Sequence, residues 1–204
     1  NSYATGDVTG TSDNVGGLLG YASGTLSTNY ATGNVTGASN VGGLIGTFGS
    51  GVMSDSTVTA TVHVSGNGTY IGGLVGRSNI NSSIGNSNSL ASVAAADSSK
   101  QVGGLVGGNY GIVTNSNSTG LVTIAANGFA VGGLIGANYG TVNNATTNSS
   151  DIVVGAGSEV LGLLLGLHAG TENNSLSSGT ITTDGVVAAA PDRIGLQYTD
   201  GIIS

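Results

Sequence analysis

The side chains able to do acid–base, nucleophilic or metal chemistry are few in this sequence, and they are scattered. Ten carboxylates (Asp7, Asp13, Asp55, Asp97, Asp151, Glu159, Glu172, Asp184, Asp192 and Asp200) stand against three bases, Arg77, Lys100 and Arg193, for a net charge of −7. Glycosidic or lyase chemistry needs carboxylates, or a carboxylate and a base, converging on one bond. Here the acids fall at different phases of the sequence pattern described below, and no catalytic residue is assigned. His63 and His168 are far apart, with no His-Glu-x-x-His pattern and no neighbouring acidic cluster, so no metal ligand is assigned either. His63 is expected on the outer face of a strand and His168 in a turn. The glycine-rich runs never give Gly-x-Gly-x-x-Gly opening a helix, nor Lys-Ser/Thr after a glycine loop, which argues against a nucleotide or other cofactor. With three bases there is no cationic surface for phosphates, and nucleic acid is excluded as a partner. Asp192 with Arg193, and Asp97 with Lys100, read as surface ion pairs of small worth.

The elements that must carry these residues follow from composition. Glycine accounts for 39 of 204 residues, with one proline, no cysteine and 6% charged residues. Gly, Ser, Thr and Asn between the apolar runs disfavour helix, because they gain more from turns and local side-chain hydrogen bonds. Yet 38% of residues are hydrophobic, in short Val, Ile and Leu runs, enough to bury a core. The longest apolar run, Val160 to Leu167, is far short of the ~20 residues that span a bilayer, so no transmembrane helix is expected.

One motif, apolar-Gly-Gly-Leu-aliphatic-Gly, recurs along the chain. Its copies carry Gly16, Gly17, Leu18 and Gly20; Gly42, Gly43, Leu44 and Gly46; Gly72, Gly73, Leu74 and Gly76; Gly103, Gly104, Leu105 and Gly107; and Gly132, Gly133, Leu134 and Gly136. A sixth copy keeps Gly162, Leu164 and Gly166 but has Leu163 for the second glycine. The copies start at 15, 41, 71, 102, 131 and 161, steps of 26, 30, 31, 29 and 30 residues. A degenerate copy lies at Ile194-Gly195-Leu196. After each motif come a short turn such as Asn109-Tyr110-Gly111, a Ser/Thr/Asn-rich segment and an aliphatic segment. In Thr57 to Val64 strict alternation puts Val58, Ala60, Val62 and Val64 on one side, the pattern of a half-buried strand.

A near-constant period with three short strands and no helix predicts an all-β parallel β-solenoid, each turn of the chain being one coil. Residues 1–204 are expected to form a single repeat domain of about seven coils, an excerpt or processed part of a longer protein. Asn and Ser at equivalent turns, as in Asn86-Ser87-Asn88-Ser89 and Asn115-Ser116-Asn117-Ser118, are expected to form ladders between coils. The motif glycines are expected at corners with positive φ. An antiparallel sandwich is the alternative architecture, disfavoured by the constant period.

The core Gly43-Leu44-Ile45-Gly46 and its equivalents, with the segment Asn-Ser-Tyr-Ala-Thr-Gly-Asp-Val-Thr-Gly at residues 1–10, resemble the GLUG repeat. The resemblance covers nearly the whole chain and is strongest up to about residue 145. It implies a β-solenoid in a large secreted bacterial protein, such as a haemagglutinin-like adhesin or the non-catalytic part of an immunoglobulin-cleaving peptidase, and it carries no catalytic residue.

The expected function is thus a non-catalytic extracellular rod of a surface adhesin, with a self-assembling filament or sheath subunit as the alternative. Threonine-rich strands raise an ice-binding surface as a lesser reading, opposed by their irregular phase. Tyr30, Tyr110 and Tyr139 lie near turns, either capping the core edge or forming a row able to bind host or cell-surface glycans. If the motif is a straight strand, Val41, Gly43 and Ile45 face one way and Leu44 the other. Both sides are then apolar, and the outer one makes a stripe for another copy of the chain or a flanking domain. If the glycines bend the strand, Leu44 and Ile45 both point inward and the stripe vanishes.

Overall fold

Short Val/Ile runs between Gly, Asn and Ser turns give strands too short to stand alone, so each must pair with its counterpart a period away. That is the arrangement in a computed structural model of the chain, which describes residues 1–64, 67–148, 150–188, 192–199 and 202–203, with the backbone alone at 62–64, 197–199 and 202–203. One coil illustrates the whole. It runs through Asn88–Ser89, Ser92–Ala95, Lys100–Gly103, Val106–Asn109 and Ile112–Thr114. Each strand pairs in parallel with the equivalent strand of the next coil, as in Val102↔Val131 and Val106↔Ile135. Among the described residues the antiparallel pairs are two local hairpins near the end of the chain.

The fold is therefore the parallel β-solenoid expected, with about six turns, but the coil has four sheet faces rather than three strands. Face 1 stacks two-residue strands from Tyr3–Ala4 to Leu176–Ser177; face 2 runs from Val8–Thr9 to Ile181–Thr183, with Val186–Val187 paired at its end; face 3 from Asp13–Gly16 to Glu159–Gly162; face 4 carries the rest. The extra face arises because the glycine motif is split. Its first residues end face 3, Gly104-Leu105 and their equivalents turn the corner, and the following aliphatic residue opens face 4. Face 3 holds six strands, so six coils are complete, and Leu176–Ser177, Ile181–Thr183 and Ile194–Thr199 add a partial seventh. At the interstrand spacing of ~4.8 Å the stack is roughly 30 Å long.

Face 4 changes along the stack. In the first three coils it is one long strand, Leu19–Ser27, Ile45–Ser54 and Val75–Gly85. From the fourth coil a tight turn, Asn-Tyr-Gly in the fourth and fifth coils and His168-Ala169-Gly170 in the sixth, divides it, as into Val106–Asn109 and Ile112–Thr114. Ser78 pairs with Asn109 and Ser83 with Ile112, so the third coil carries the longer segment Asn79 to Ser82 where the fourth has Tyr110-Gly111. The surplus stands out from the stack as a bulge.

Between the faces lies the main core, including Val58, Ala60, Ile71, Leu74, Val75, Val102, Leu105, Val106, Ile135 and Leu164, and a small separate cluster holds Ala130, Ala137 and Leu167. Val58 and Ala60 point inward as their alternation required; the side chains of Val62, His63 and Val64 lie outside the described residues. The expected Ser and Asn ladders are present. Ser56 N–H donates to Ser87 Oγ at 3.2 Å and Ser87 N–H to Ser116 Oγ at 3.2 Å, while Asn115 Nδ2 donates to Asn86 Oδ1 at 3.4 Å.

Positive φ falls elsewhere than expected. No motif glycine has it; two left-handed positions recur in every complete coil, the one preceding each motif (Asn14, Asn40, Tyr70, Gln101, Ala130, Val160) and the one turning from face 4 to face 1 (Thr28, Asp55, Asn86, Asn115, Asn144, Asn174), with Ser98, Asn127 and Asp184 at other turns. Asn and Asp tolerate this region, whereas a β-branched residue such as Thr28 or Val160 adopts it at a cost. Thr28, at φ 54° and exposed, occupies the turn where four later coils have Asn. Thr28→Asn should raise the unfolding free energy by about 1 kcal/mol, and chemical denaturation of the pair checks it.

Candidate functional site

The motif builds the corner between faces 3 and 4, and each glycine has its own reason. A Cβ on the first glycine would lie within about 2.2 Å of the carbonyl oxygen three residues on, as Gly103 on Val106 O at 2.1 Å. On the last glycine it would strike the left-handed residue of the preceding coil, as Gly76 on Asn40 C at 2.6 Å. On the second it would meet the next coil's carbonyl, as Gly104 on Gly133 O at 2.3 Å. The two strands meet backbone to backbone. Consecutive N–H groups then share one carbonyl across the corner: Leu105 N and Val106 N both donate to Leu134 O, at 2.9 and 3.1 Å.

This bend overturns the apolar stripe. Val41, Leu44 and Ile45 are all 0% exposed, so both aliphatic residues of the motif turn inward and the motif leaves no outward stripe of its own there. The straight-strand reading missed it because alternation cannot hold through a corner: two adjacent inward side chains require the chain to bend between them. Gly16, Gly17, Leu18 and Gly20 and their equivalents are packing residues that the structure brings into one stacked column.

At the far end of the face-4 strands that this corner opens lies a buried polar column. Asn109 Nδ2 donates to Asn138 Oδ1 at 2.8 Å, and Asn138 Nδ2 contacts His168 Nδ1 at 3.1 Å. Each Asn also closes its own turn, Gly111 N–H donating to Asn109 Oδ1 at 3.2 Å and Asn138 Nδ2 to Gly140 O at 3.3 Å. His168 is therefore not an open turn residue: it ends the strand Leu165–His168 and is 4% exposed. The signal for this was its spacing, since Asn109, Asn138 and His168 each stand seven residues after a motif start. Burial lowers the His168 pKa below its ordinary 6.5, with Arg193 adding to the shift and Glu172 opposing it.

The neutral ring accepts the Asn138 bond at Nδ1. A folded-state pKa below the unfolded one means the contribution is full above about pH 6.5 and is lost as pH falls through the folded value. Acidification from about pH 7.5 to 5.5 should thus lower the unfolding midpoint of the native chain. His168→Asn, which continues the ladder without titrating, should flatten that dependence. Equal slopes for the two chains would contradict the assignment.

The acids do not converge. Among the described residues no three His, Asp or Glu side chains come together. Asp7 Oδ1 accepts Asn34 N–H at 2.7 Å, and Asp151 Oδ1 accepts Thr180 N–H at 2.9 Å, so both stitch one coil to the next. Arg193 pairs with Glu172 at 2.6 Å rather than with Asp192, and among the described residues this is the ion pair of the chain; Asp97 and Lys100 form none. Burial pushes the Glu172 pKa up, but the Arg193 bond and the Ser175 N–H outweigh it and hold it below its ordinary value. Among the described side chains the outward column of face 2 reads Thr9, Thr36, Ala94, Thr123, Val153 and Thr182, and Ala94 and Val153 break any flat threonine array.

Where the face-4 strand changes form, the surface opens into a cleft of 330 Å³ lined by Gly49, Arg77, Asn79, Ile80, Asn81 and Tyr110. The Arg77 guanidinium lies 5.2 Å from the Tyr70 ring centre and 5.0 Å from that of Tyr110. Tyr110 stacks on Tyr139 at 4.8 Å, and the Tyr70 and Tyr110 hydroxyls are 2.9 Å apart. Burial, then the Tyr70 hydroxyl, raise the Tyr110 pKa, so its hydroxyl stays protonated. Tyr30 is elsewhere, stacked on Tyr3 at 5.3 Å. The tyrosines named in the sequence thus form two groups, one on the first two coils and one on the third to fifth. Tyr70, Arg77 and the bulge had no repeat signal, because each departs from its column.

Residues 98–125 match the GLUG motif, which covers one coil from the face-3 strand Lys100–Gly103 to the face-2 strand Val122–Ile124. The chain therefore carries this motif, and the same corner recurs in its other coils. No curated protein and no solved structure matches the chain.

Proposed function

We propose that the chain is a non-catalytic rod segment of a secreted bacterial surface adhesin, holding other parts of the same protein at a distance from the cell. The observation that carries this reading is the unbroken register, in which Val15, Val41, Ile71, Val102, Val131 and Leu161 stack in one column. Length is then set by the number of coils, about 4.8 Å for each. The GLUG motif and the absence, in the described residues, of any helix long and apolar enough to cross a membrane fit a surface repeat domain. The net charge of −7 suits a solvated, non-adhering shaft.

The test uses the full surface protein. Deleting residues 132–161 joins Val131 to Gly162 and removes one coil in register. Export and cell attachment should persist, with the stack about 4.8 Å shorter. Loss of attachment, or of a polysaccharide- or peptide-cleaving activity, in a variant that keeps its β-sheet circular dichroism would contradict a spacer.

A further inference from the structure

We propose that the cleft at Arg77 is a binding site for a carboxylate-bearing sugar unit of an acidic polysaccharide. The argument begins with charge. Of the three bases, Arg193 is paired with Glu172 and Lys100 is exposed at a strand start, whereas Arg77 lines a cleft and has no carboxylate partner among the described residues. Its Nε is buried without a hydrogen-bond partner, and so is Oδ1 of the neighbouring Asn79. A cation half-sunk in the wall of an acidic protein, with buried polar atoms unsatisfied beside it, is costly unless an anion completes it.

The site is held in place. Tyr70 and Tyr110 flank the guanidinium, their hydroxyls tie the two rings together, and Tyr139 stacks behind. Ser78 Oγ and Ser82 Oγ, 2.6 Å apart, and Ser82 Oγ donating to Asn79 O at 2.6 Å, clamp the base of the bulge that forms one wall. Ile80 projects from its tip, 77% exposed.

The mixture of groups selects the ligand class. Arg77 supplies the fork that carboxylates match. Asn79 and Asn81 offer amide donors and acceptors of the kind that adjacent sugar hydroxyls use, and Ile80 with the edge of Tyr110 offers apolar surface for the C–H face of a pyranose ring. The cleft volume suits one or two such rings. An acidic peptide would instead seek a free strand edge, and here the strands of the third and fourth coils are paired on both sides.

Titration calorimetry of the whole chain decides it, with tetragalacturonate and sialyllactose as acidic probes and cellotetraose and lactose as neutral ones. At least one acidic probe should bind. Arg77→Gln should weaken it at least about tenfold. Ile80→Asp, at an exposed tip where folding is not at stake, should also weaken it, more strongly at low salt. The proposal is overturned if neither acidic probe binds the native chain, if a neutral probe binds as tightly, or if Ile80→Asp binds like the native chain.

Discussion

Gly103→Ala should cost at least about 3 kcal/mol of stability, the upper end of what an added methyl costs in a packed interior. The new Cβ would lie 2.1 Å from Val106 O, 2.7 Å from Gly136 N and 2.9 Å from Leu134 O, all backbone atoms. None of them can rotate away. Relief requires the corner to open, and opening it parts Leu105 N and Val106 N from the carbonyl they share and lifts both aliphatic residues off the core. Gly85→Ala is the control. That glycine has no neighbour within 4 Å of an added Cβ and no positive φ, and its register partners Ser54 and Thr114 already carry side chains. It should be neutral or stabilising by up to about 1 kcal/mol. Denaturant midpoints of the two variants that differ little from each other would contradict the close-approach account.

Asn138→Ala should be destabilising by roughly 2 to 4 kcal/mol, because the buried His168 Nδ1 loses its partner, at about 1–3 kcal/mol, and Asn109 Nδ2 is left with the longer bonds to Gly111 O at 3.3 Å and Thr141 O at 3.5 Å. Asn109 Nδ2 would lose its 2.8 Å acceptor and His168 Nδ1 its 3.1 Å neighbour, in a column where Asn138 itself is fully buried. The Gly140 carbonyl would also lose a donor, loosening the turn between Ile135–Asn138 and Thr141–Asn143. The effect should stay largely in the fourth to sixth coils, since stability in a stacked repeat is carried by neighbours. Hydrogen exchange resolved by residue reads this directly: faster exchange should centre on residues 109–111, 138–140 and 168–171, with the first two coils unchanged. Protection lost uniformly along the chain would speak against a local ladder.

The sequence was most legible where a residue type repeats. Six copies of one motif at near-constant spacing made a stacked coil, and the alternation around Val58 and Ala60 placed two inward side chains correctly. Residues whose roles depend on the coil beside them were harder to read. The motif residues are compatible with a straight strand as well as with a bend, and the sequence left both open; the close approach of a Cβ to the carbonyl three residues on at Gly16, Gly42 and Gly72 shows that they turn a corner. The left-handed position before the motif carries Asn14, Asn40, Tyr70, Gln101, Ala130 and Val160, and so mixed a set has no signature. His168 was misplaced by reading its local turn instead of its column, where Asn109 and Asn138 already announced a buried polar ladder. The cleft at Arg77 sits where the pattern lapses, at the junction of long and divided face-4 strands, and repetition is blind to it.

The parallel register of the coils is directly testable because the chain has no cysteine. Ile112 and Thr141 are register partners on successive coils, with outward side chains. In the double variant Ile112→Cys/Thr141→Cys the two thiols should oxidise to a disulfide without loss of β-sheet structure, since partners at ~4.8 Å fall within the Cα separations a disulfide spans. Ile112→Cys/Asn143→Cys, two residues out of register on the same side, lies beyond the roughly 7 Å limit and should stay reduced. Ready cross-linking of the shifted pair, with none for the matched pair, would contradict the stacked coil.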